Sequence, residues 1–216
     1  MSMVAMLSAS VVVLFFLILA EKLHRTNRAA DETARKLIHI TVGMFVATWP
    51  FYLSAEIILI LSAMLLVGII VSRHFNIFNS IHSVRRQTWG DVLFPVGIGI
   101  TALLASAPWI FAVAILHVGL ADGLAAIAGQ KYKKARQYKV FGQSKTATGT
   151  LVFFAVSVVI MSAAILLVPG ELSHRALPLL IAVPLVATLI ENVAPNGSDN
   201  VFVPIVLCVM LGLLAG

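Results

Sequence analysis

The residues best placed to do chemistry lie in the stretch 117–150, which reads HVGLADGLAAIAGQKYKKARQYKVFGQSKTATGT. One carboxylate, Asp122, falls inside an apolar run that is long enough to cross a membrane. On a helix, Gly119, Ala125 and Ala126 would lie three or four positions away, leaving room for another helix, a metal ion or a ligand. Placing an ionisable group in an apolar span costs free energy, so such a residue is taken to have a function unless a structural role explains it. Asp122 is therefore a candidate active-site residue.

The same stretch ends in KTATGT at 145–150, which has the residue types of an anion site. Hydroxyl groups, a glycine and free N–H groups at a helix N-terminus bind phosphate, and Lys145 adds a positive charge. The sequence contains no GxxxxGK[ST] pattern, so this is not a Walker P-loop. The residues predicted to contact phosphate here are Lys145, Thr146, Thr148, Gly149 and Thr150.

A dense set of cations precedes Lys145 in the same loop. Its members are Lys131, Lys133, Lys134, Arg136 and Lys139. They would attract a polyanionic nucleotide, or they would bind anionic lipid and set the topology. The second role is favoured for most of them, with Lys145 as the exception.

A third polar segment, ENVAPNGSDN at 191–200, concentrates oxygen ligands. Hard oxygen ligands of this kind suit Mg²⁺, which takes one or two carboxylates together with substrate phosphates. A capped tight turn would account for Asp199 or Asn200 but not for Glu191. The segment therefore predicts metal ligands at Glu191, Asp199 and Asn200, in combination with Asp122.

A fourth set of polar residues begins before the second apolar run. Asp31, Arg35 and His39 are spaced along one helical stripe, with Lys36 alongside. Arg35, Lys36 and His39 would receive phosphate at the membrane surface. An amphipathic helix that uses its cations as interfacial anchors explains the same pattern equally well.

A fifth polar segment precedes the fourth apolar run and contains Arg85 and Arg86, followed by Trp89, Gly90 and Asp91. Trp89 suits a membrane interface and Gly90 suits a turn. Asp91 is favoured as the N-cap of the next helix, while the two arginines are further candidates for phosphate contact.

Composition places all of these residues in a membrane protein. The chain has 216 residues, of which 60% are hydrophobic and 11% charged, against about 25% charged residues in soluble domains. The apolar runs predict an all-α, polytopic helical bundle that forms a single transmembrane domain over 1–216. About eight spans are expected, with seven as the alternative, at about 3–20, 37–49, 54–71, 92–106, 108–129, 149–168, 176–193 and 201–216.

The charges predict which side of the membrane the loops occupy. Of the 15 Lys and Arg residues, all but Arg175 fall in the first, third and fifth loops. The positive-inside rule then places these loops in the cytoplasm and both termini outside. The net charge of +6 is explained by topology, so no nucleic-acid partner is expected.

The polar residues gather at the cytoplasmic ends of several spans. A transporter would concentrate them at the bilayer midplane, often in inverted repeats, and no internal repeat is present. The pattern favours an enzyme that joins a water-soluble reagent to a lipid at the interface. The alternatives are a lipid nucleotidyltransferase of the CDP-diacylglycerol synthase type and a non-enzymatic lipid transporter or lipid-binding protein.

Four segments together resemble the membrane-bound polyprenol kinases, which comprise the dolichol kinases and the shorter phytol and farnesol kinases. They are ARKLIHI (34–40), GLADGLAAIAGQKY (119–132), KTATGT (145–150) and ENVAPNGSDNVFVP (191–204), in the family's order and spacing. The short chain is most similar to the phytol-kinase branch. The resemblance marks as site residues Asp122, Gly123, Lys145, Thr146, Gly149, Glu191, Asp199 and Asn200, with Arg35, Lys36 and His39 in support.

The resemblance implies a reaction as well as a set of residues. It implies transfer of the γ-phosphate of a nucleotide, typically CTP, to the hydroxyl of an isoprenoid alcohol in the bilayer, with a divalent metal. On this interpretation Mg²⁺ binds Asp122 with Asp199 or Glu191, Lys145 binds phosphate, and a carboxylate not on the metal accepts the alcohol's proton. The active site of this multi-pass protein is expected at the cytoplasmic face.

Overall fold

The computed structural model describes residues 2–26, 31–75, 77, 89–132, 136–168, 172 and 175–215. Most of these residues are helical, as apolar segments in a bilayer must be, because a helix satisfies its own backbone hydrogen bonds. The helices are α1 (Ser2–Thr26), α2 (Asp31–Ala47), α3 (Ala55–Phe75), α4 (Gly90–Leu104), α5 (Pro108–Lys131), α6 (Ala147–Leu167), α7 (Ala176–Val193) and α8 (Asp199–Ala215). The prediction of a helical bundle is confirmed, with one short β-hairpin in addition.

Four of these helices are long and apolar enough to cross a membrane by themselves, namely α3, α5, α6 and α7. Shorter apolar helical segments lie at Val4–Phe16, Gly90–Leu104 and Asp199–Leu214. Leucines on the outer surfaces are strongly exposed, including Leu166 and Leu213, as expected of side chains that face lipid. A membrane protein is therefore supported, while the count of eight spans stays a prediction.

The helix that carries Asp122 is the centre of the bundle. In its most apolar window 61% of the residues are buried, against 22% to 33% in the other three long helices. It packs against α2, α6 and α8. Gly43 and Gly119 allow α2 to approach closely, because a Cβ added at Gly43 would lie 2.6 Å from the Gly119 Cα.

A π-helical turn interrupts α5 at His117–Ala121, immediately before Asp122. The Asp122 N–H donates to the His117 carbonyl, five residues back. Such a turn rotates the residues that follow it relative to a regular helix, and π-helical turns occur frequently at functional sites. The turn therefore determines which neighbours Asp122 meets.

A β-hairpin lies between α5 and α6, where the sequence predicts only a basic loop. Strand β1 (Gln137–Val140) pairs antiparallel with β2 (Gln143–Thr146), and Tyr138 lies opposite Lys145. The strands are joined by Phe141 and Gly142, which have φ values of 46° and 80°. Two central residues with positive φ are typical of a type I′ turn, whose twist suits a two-residue hairpin.

Contacts between the polar segments place them at one end of the bundle. Lys36 of α2 reaches Asp122 of α5, and Lys145 of β2 reaches Glu191 of α7. Trp89, just before α4, donates its backbone N–H to the Asn196 carbonyl at 3.0 Å. This arrangement agrees with a topology in which the loops before α2, α4, α6 and α8 share one side of the membrane.

We expect reporters inserted near residues 30, 80, 138 and 196 all to read cytoplasmic, because nearly all of the cations lie in the first, third and fifth loops. Cysteine accessibility in intact cells and in inverted vesicles measures this directly. A reporter near 175, beside the one arginine of the opposite side, is the matched control and should read external. An external result near 138 would contradict the topology.

Candidate active site

Asp122 is paired with a lysine from the neighbouring helix. The Lys36 Nζ lies 2.7 Å from the Asp122 Oδ2, and each side chain is 13% exposed. The Ile40 side chain of α2 packs directly on Gly123, where a Cβ would lie 2.2 Å from the Ile40 Cγ1. Close helix packing thus accounts for Gly123, and its predicted contact with phosphate stays a prediction.

His39 lies one turn after Lys36 on the same helix and faces the same carboxylate. Its Nε2 is 4.0 Å from the Asp122 Oδ2 and 3.1 Å from the carbonyl oxygen of Val118, inside the π-helical turn. Because a carbonyl only accepts, the Nε2 carries the proton in this hydrogen bond. The His39 ring also packs on Phe94 of α4, with 4.4 Å between the ring centroids.

A second lysine–carboxylate pair joins the hairpin to the end of α7. The Lys145 Nζ lies 2.6 Å from the Glu191 Oε1 and 2.7 Å from the Glu191 carbonyl oxygen. Thr146 then caps α6, because its Oγ1 accepts from the Gly149 N–H at 3.1 Å. A buried pair held by two hydrogen bonds fixes the position of the lysine more firmly than an exposed pair would.

Asp199 brings a third carboxylate into the same region from the start of α8. It interacts electrostatically with Asp122, Glu191 and both lysines. Within the described part of the chain its carboxylate makes no ion pair, whereas Asp122 and Glu191 each have a lysine. The site therefore contains two lysines and three carboxylates, and Asp199 is the carboxylate without a matching cation.

The loop before α8 is shaped by a tight turn. Asn196 and Gly197 have positive φ, at 53° and 90°, and a Cβ on Gly197 would lie 2.5 Å from the Gly90 backbone nitrogen. Asn200 is buried and donates from Nδ2 to the Gly197 carbonyl at 3.0 Å. Its Oδ1 accepts no hydrogen bond from the described residues, so one buried oxygen ligand is free.

Comparison with known proteins gives one informative match. The chain is 29% identical to a phytol kinase of Synechocystis sp. over 201 aligned residues, which cover 86% of this chain and 81% of that kinase. This match relates the chain to a phytol kinase. No protein-family profile matches the sequence, and no solved structure matches it.

All four segments that resemble the polyprenol kinases contribute to one region of the structure. Lys36 and His39 come from the first segment, Asp122 from the second, Lys145 from the third and Glu191 from the fourth. A shared binding site requires that segments far apart in the sequence meet in space.

The remaining predicted phosphate contacts lie around these two pairs. Thr148 lies in the first turn of α6, and Thr150 follows it with its hydroxyl 3.2 Å from the Asn192 Oδ1. Arg35 precedes Lys36 and interacts electrostatically with His39. Four cations that the sequence raised as candidates lie outside the described residues, namely Arg85, Arg86, Lys133 and Lys134.

Asp91 does not act as the cap that its sequence position suggests. Helix α4 begins at Gly90, and the Asp91 carboxylate accepts from the Arg73 Nε at 3.0 Å and the Arg73 Nη2 at 2.7 Å. The same guanidinium lies 5.3 Å from the centre of the Trp89 ring. This bidentate pair ties α3 to α4, and the partner could not be found from a local pattern because Arg73 is 18 positions away.

The described residues contain no ready-made cluster of three or more His, Cys, Asp or Glu side chains that could hold a metal ion. Two of the predicted ligands, Asp122 and Glu191, are neutralised by lysines instead. Asp199 and the Oδ1 of Asn200 are neighbours in sequence and are free of such partners. This donor set fits Mg²⁺ bound with a phosphate, because Mg²⁺ uses one or two protein carboxylates and fills its other positions with phosphate and water.

Proposed function

We propose that the protein is a membrane kinase that transfers the γ-phosphate of a nucleotide to the hydroxyl of an isoprenoid alcohol. CTP is the expected donor, and the expected acceptors are phytol, farnesol, geranylgeraniol or a longer polyprenol. The relationship to a phytol kinase supports the class of reaction. The observation that carries the proposal is the meeting of two lysines with three carboxylates at one end of the bundle, where one carboxylate, that of Asp199, has no ion-pair partner among the described residues.

The two ion pairs suggest how the site would accept a nucleotide. Lys36 pairs with Asp122, and Lys145 pairs with Glu191. A triphosphate offers each lysine a stronger anionic partner, and the released carboxylates would then be available to a metal ion or to the acceptor. Because the pairs hold both lysines at the site, each amine has only to exchange one anionic partner for another when the substrate binds.

To catalyse phosphoryl transfer, the protein has mainly to position the reactants and to neutralise charge. Mg²⁺, held by Asp122 with Asp199 or Glu191 and by the Oδ1 of Asn200, would neutralise charge on the phosphates when it is bound. Lys145 would hold the transferred phosphate from the other side. The N-terminal end of α6, with Thr146 and Thr148, would contribute hydroxyl and N–H donors.

The proposed transfer forms one bond to phosphorus, breaks another and moves one proton. The alcohol oxygen forms a bond to the γ-phosphorus while the bond from that phosphorus to the bridging β–γ oxygen breaks. The hydroxyl proton passes to whichever carboxylate is not on the metal, and the nucleoside diphosphate leaves. The isoprenoid tail would lie between helices at the cytoplasmic face, with its hydroxyl near Asp122.

We expect purified protein in lipid vesicles to move label from γ-labelled CTP to an added isoprenoid alcohol. The measurement is lipid-extractable label, compared across phytol, farnesol, geranylgeraniol and a long polyprenol, with γ-labelled ATP in parallel. A matched preparation from cells that lack the protein controls for host kinases. Labelled pyrophosphate without labelled lipid would identify a nucleotidyltransferase, and no transfer with any alcohol would favour a lipid transporter or binding protein.

A further inference from the structure

The hydroxyl of Tyr138 makes the second contact between the hairpin and the helices. It donates to the Oδ1 of Asn192 on α7 and contacts the Oγ1 of Thr150 on α6. The sequence did not single out this tyrosine, because it lies among the lysines and arginines of the loop. Its partner Asn192 is the residue directly after Glu191, the partner of Lys145.

Asn192 is itself held in a fixed orientation. Its Nδ2 donates to the Thr188 carbonyl at 2.9 Å, one turn back on α7. Its Oδ1 then faces the hairpin and accepts from both Tyr138 and Thr150. A satisfied network of this kind, partly removed from water, defines one geometry more sharply than a single exposed hydrogen bond does.

Tyr138 and Lys145 are directly opposite each other in the hairpin. Opposite residues of an antiparallel pair point to the same face with their Cβ atoms about 5 Å apart. The inward face of the hairpin therefore presents both groups to the end of α7, where Asn192 receives one and Glu191 receives the other. The outer face of the hairpin is exposed, and its tip residue Phe141 is 82% exposed.

The hairpin is also attached at its base, where β2 runs directly into α6 and Thr146 caps that helix. An isolated two-stranded hairpin is at best marginally stable in water, so this one depends on its docking contacts. Among the described residues, its Ser144 bonds only within the hairpin, to the Oε1 of Gln137. Tyr138 and Lys145 add the side-chain contacts that hold the strand pair against α7.

We propose that Tyr138 is a positioning residue that docks the hairpin on α7 and so places the Lys145 amine in the active site. Its action on phosphate transfer rests on the proposed kinase function, whereas its action on the hairpin does not. Without Tyr138, the side-chain contact of the hairpin with α7 would rest on Lys145, which loses its carboxylate partner whenever its amine moves to a phosphate. The tyrosine anchor keeps the hairpin in place during that exchange.

The test compares Tyr138→Phe with Tyr132→Phe. Both changes remove one hydroxyl and keep the ring, but the Tyr132 side chain is 52% exposed and its hydroxyl makes no hydrogen bond to the described residues. The structural measurement is the rate at which an amine-reactive acylating reagent modifies individual lysines, read by mass spectrometry. The functional measurement is the KM for nucleotide and the kcat.

In Tyr138→Phe we expect Lys145 to be modified about two- to tenfold faster, which is the ratio expected for one lost hydrogen bond. Lys139, exposed on the outer face, should not change, and neither should Lys36 in the other ion pair. The KM for nucleotide should rise by about the same factor, with a smaller change in kcat. Tyr132→Phe should match the wild type in every measurement.

The outcomes separate the inference from the kinase proposal. Faster modification of Lys145 alone, in a protein that transfers no phosphate, would support the docking role and reject the kinase function. An active kinase in which Tyr138→Phe and Tyr132→Phe behave alike would overturn the inference. Faster modification of Lys36 together with Lys145 would also overturn it, since that result means general loosening of the bundle.

Discussion

Replacing Lys145 with arginine is expected to reduce turnover nearly as much as replacing it with alanine, by about 100-fold in each case. The Lys145 amine is confined by two acceptors of one residue, the Glu191 Oε1 and its carbonyl oxygen, at 2.6 and 2.7 Å. A compact ammonium fits between them, whereas a wide planar guanidinium does not. A site that only attracted nucleotide by its charge would tolerate arginine.

Arginine is the more informative of the two changes. Lys145→Ala leaves the buried Glu191 carboxylate without a partner, and breaking a buried pair destabilises the fold by about 3–5 kcal/mol. A loss of activity in the alanine variant therefore mixes misfolding with lost chemistry. Arginine keeps the charge, so its loss of turnover would report the phosphate contact.

Lys139→Ala is the matched control, because Lys139 lies on the outer face of the same hairpin strand pair and is exposed. Its solvated charge shares its attraction for nucleotide with neighbouring cations, so the change should cost less than about threefold. Nucleotide affinity and turnover would be measured for all three variants at one ionic strength. Equal and mild losses across the set would refute a specific phosphate contact by Lys145.

The contrast between Lys145 and Lys139 also shows what the sequence alone cannot predict, namely which side chains pair across the fold. The KTATGT pattern identified Lys145, but its partner Glu191 is 46 positions away, and the partner of Asp122 is 86 positions away. A regular helical pattern reports which residues share a face and nothing about which faces meet. The two lysine–carboxylate pairs could be identified only from the three-dimensional structure.

Helix positions were much easier to predict than the hairpin. The predicted span 176–193 coincides with α7, because charged and turn-forming residues flank a continuous apolar run. The hairpin has strands of four residues, and both are largely polar. Its Phe141–Gly142 turn lacks the Asn-Gly or Asp-Gly signal that would have indicated a type I′ turn.

The π-helical turn before Asp122 has no sequence signature of its own. Residues 117–121 read HVGLA, which a regular helix would accommodate equally well. The turn forms where α5 passes close to α2, at the contact between Gly119 and Gly43. Sequence reasoning placed Asp122 in the correct helix but could not determine the direction in which its carboxylate points.

Asp122→Asn is expected to reduce turnover by at least about 100-fold while the protein still inserts and folds. The amide keeps the shape of the side chain and removes the charge that a metal ligand or a proton acceptor needs. The measurement is turnover at saturating nucleotide and alcohol, with thermal unfolding followed in parallel.

The neighbouring lysine complicates this variant. Without Asp122, the Lys36 ammonium is left largely buried and unpaired, with 13% of its side chain exposed. An unpaired buried charge destabilises its surroundings, so the single variant could lose activity for a structural reason. The double variant Lys36→Gln, Asp122→Asn removes both charges and keeps side chains of similar size.

The double variant distinguishes a chemical role of Asp122 from a structural one. If the carboxylate binds the metal or takes the proton, restoring charge balance cannot replace it, and the double variant should be about 100-fold less active than Lys36→Gln alone. If the aspartate serves only to neutralise Lys36, the double variant should match Lys36→Gln alone in turnover and unfold at a temperature similar to that of the wild type. Near-full activity in the single variant would show that Asp122 is not an active-site residue. Glu191 and Asp199 would then be the remaining candidate carboxylates.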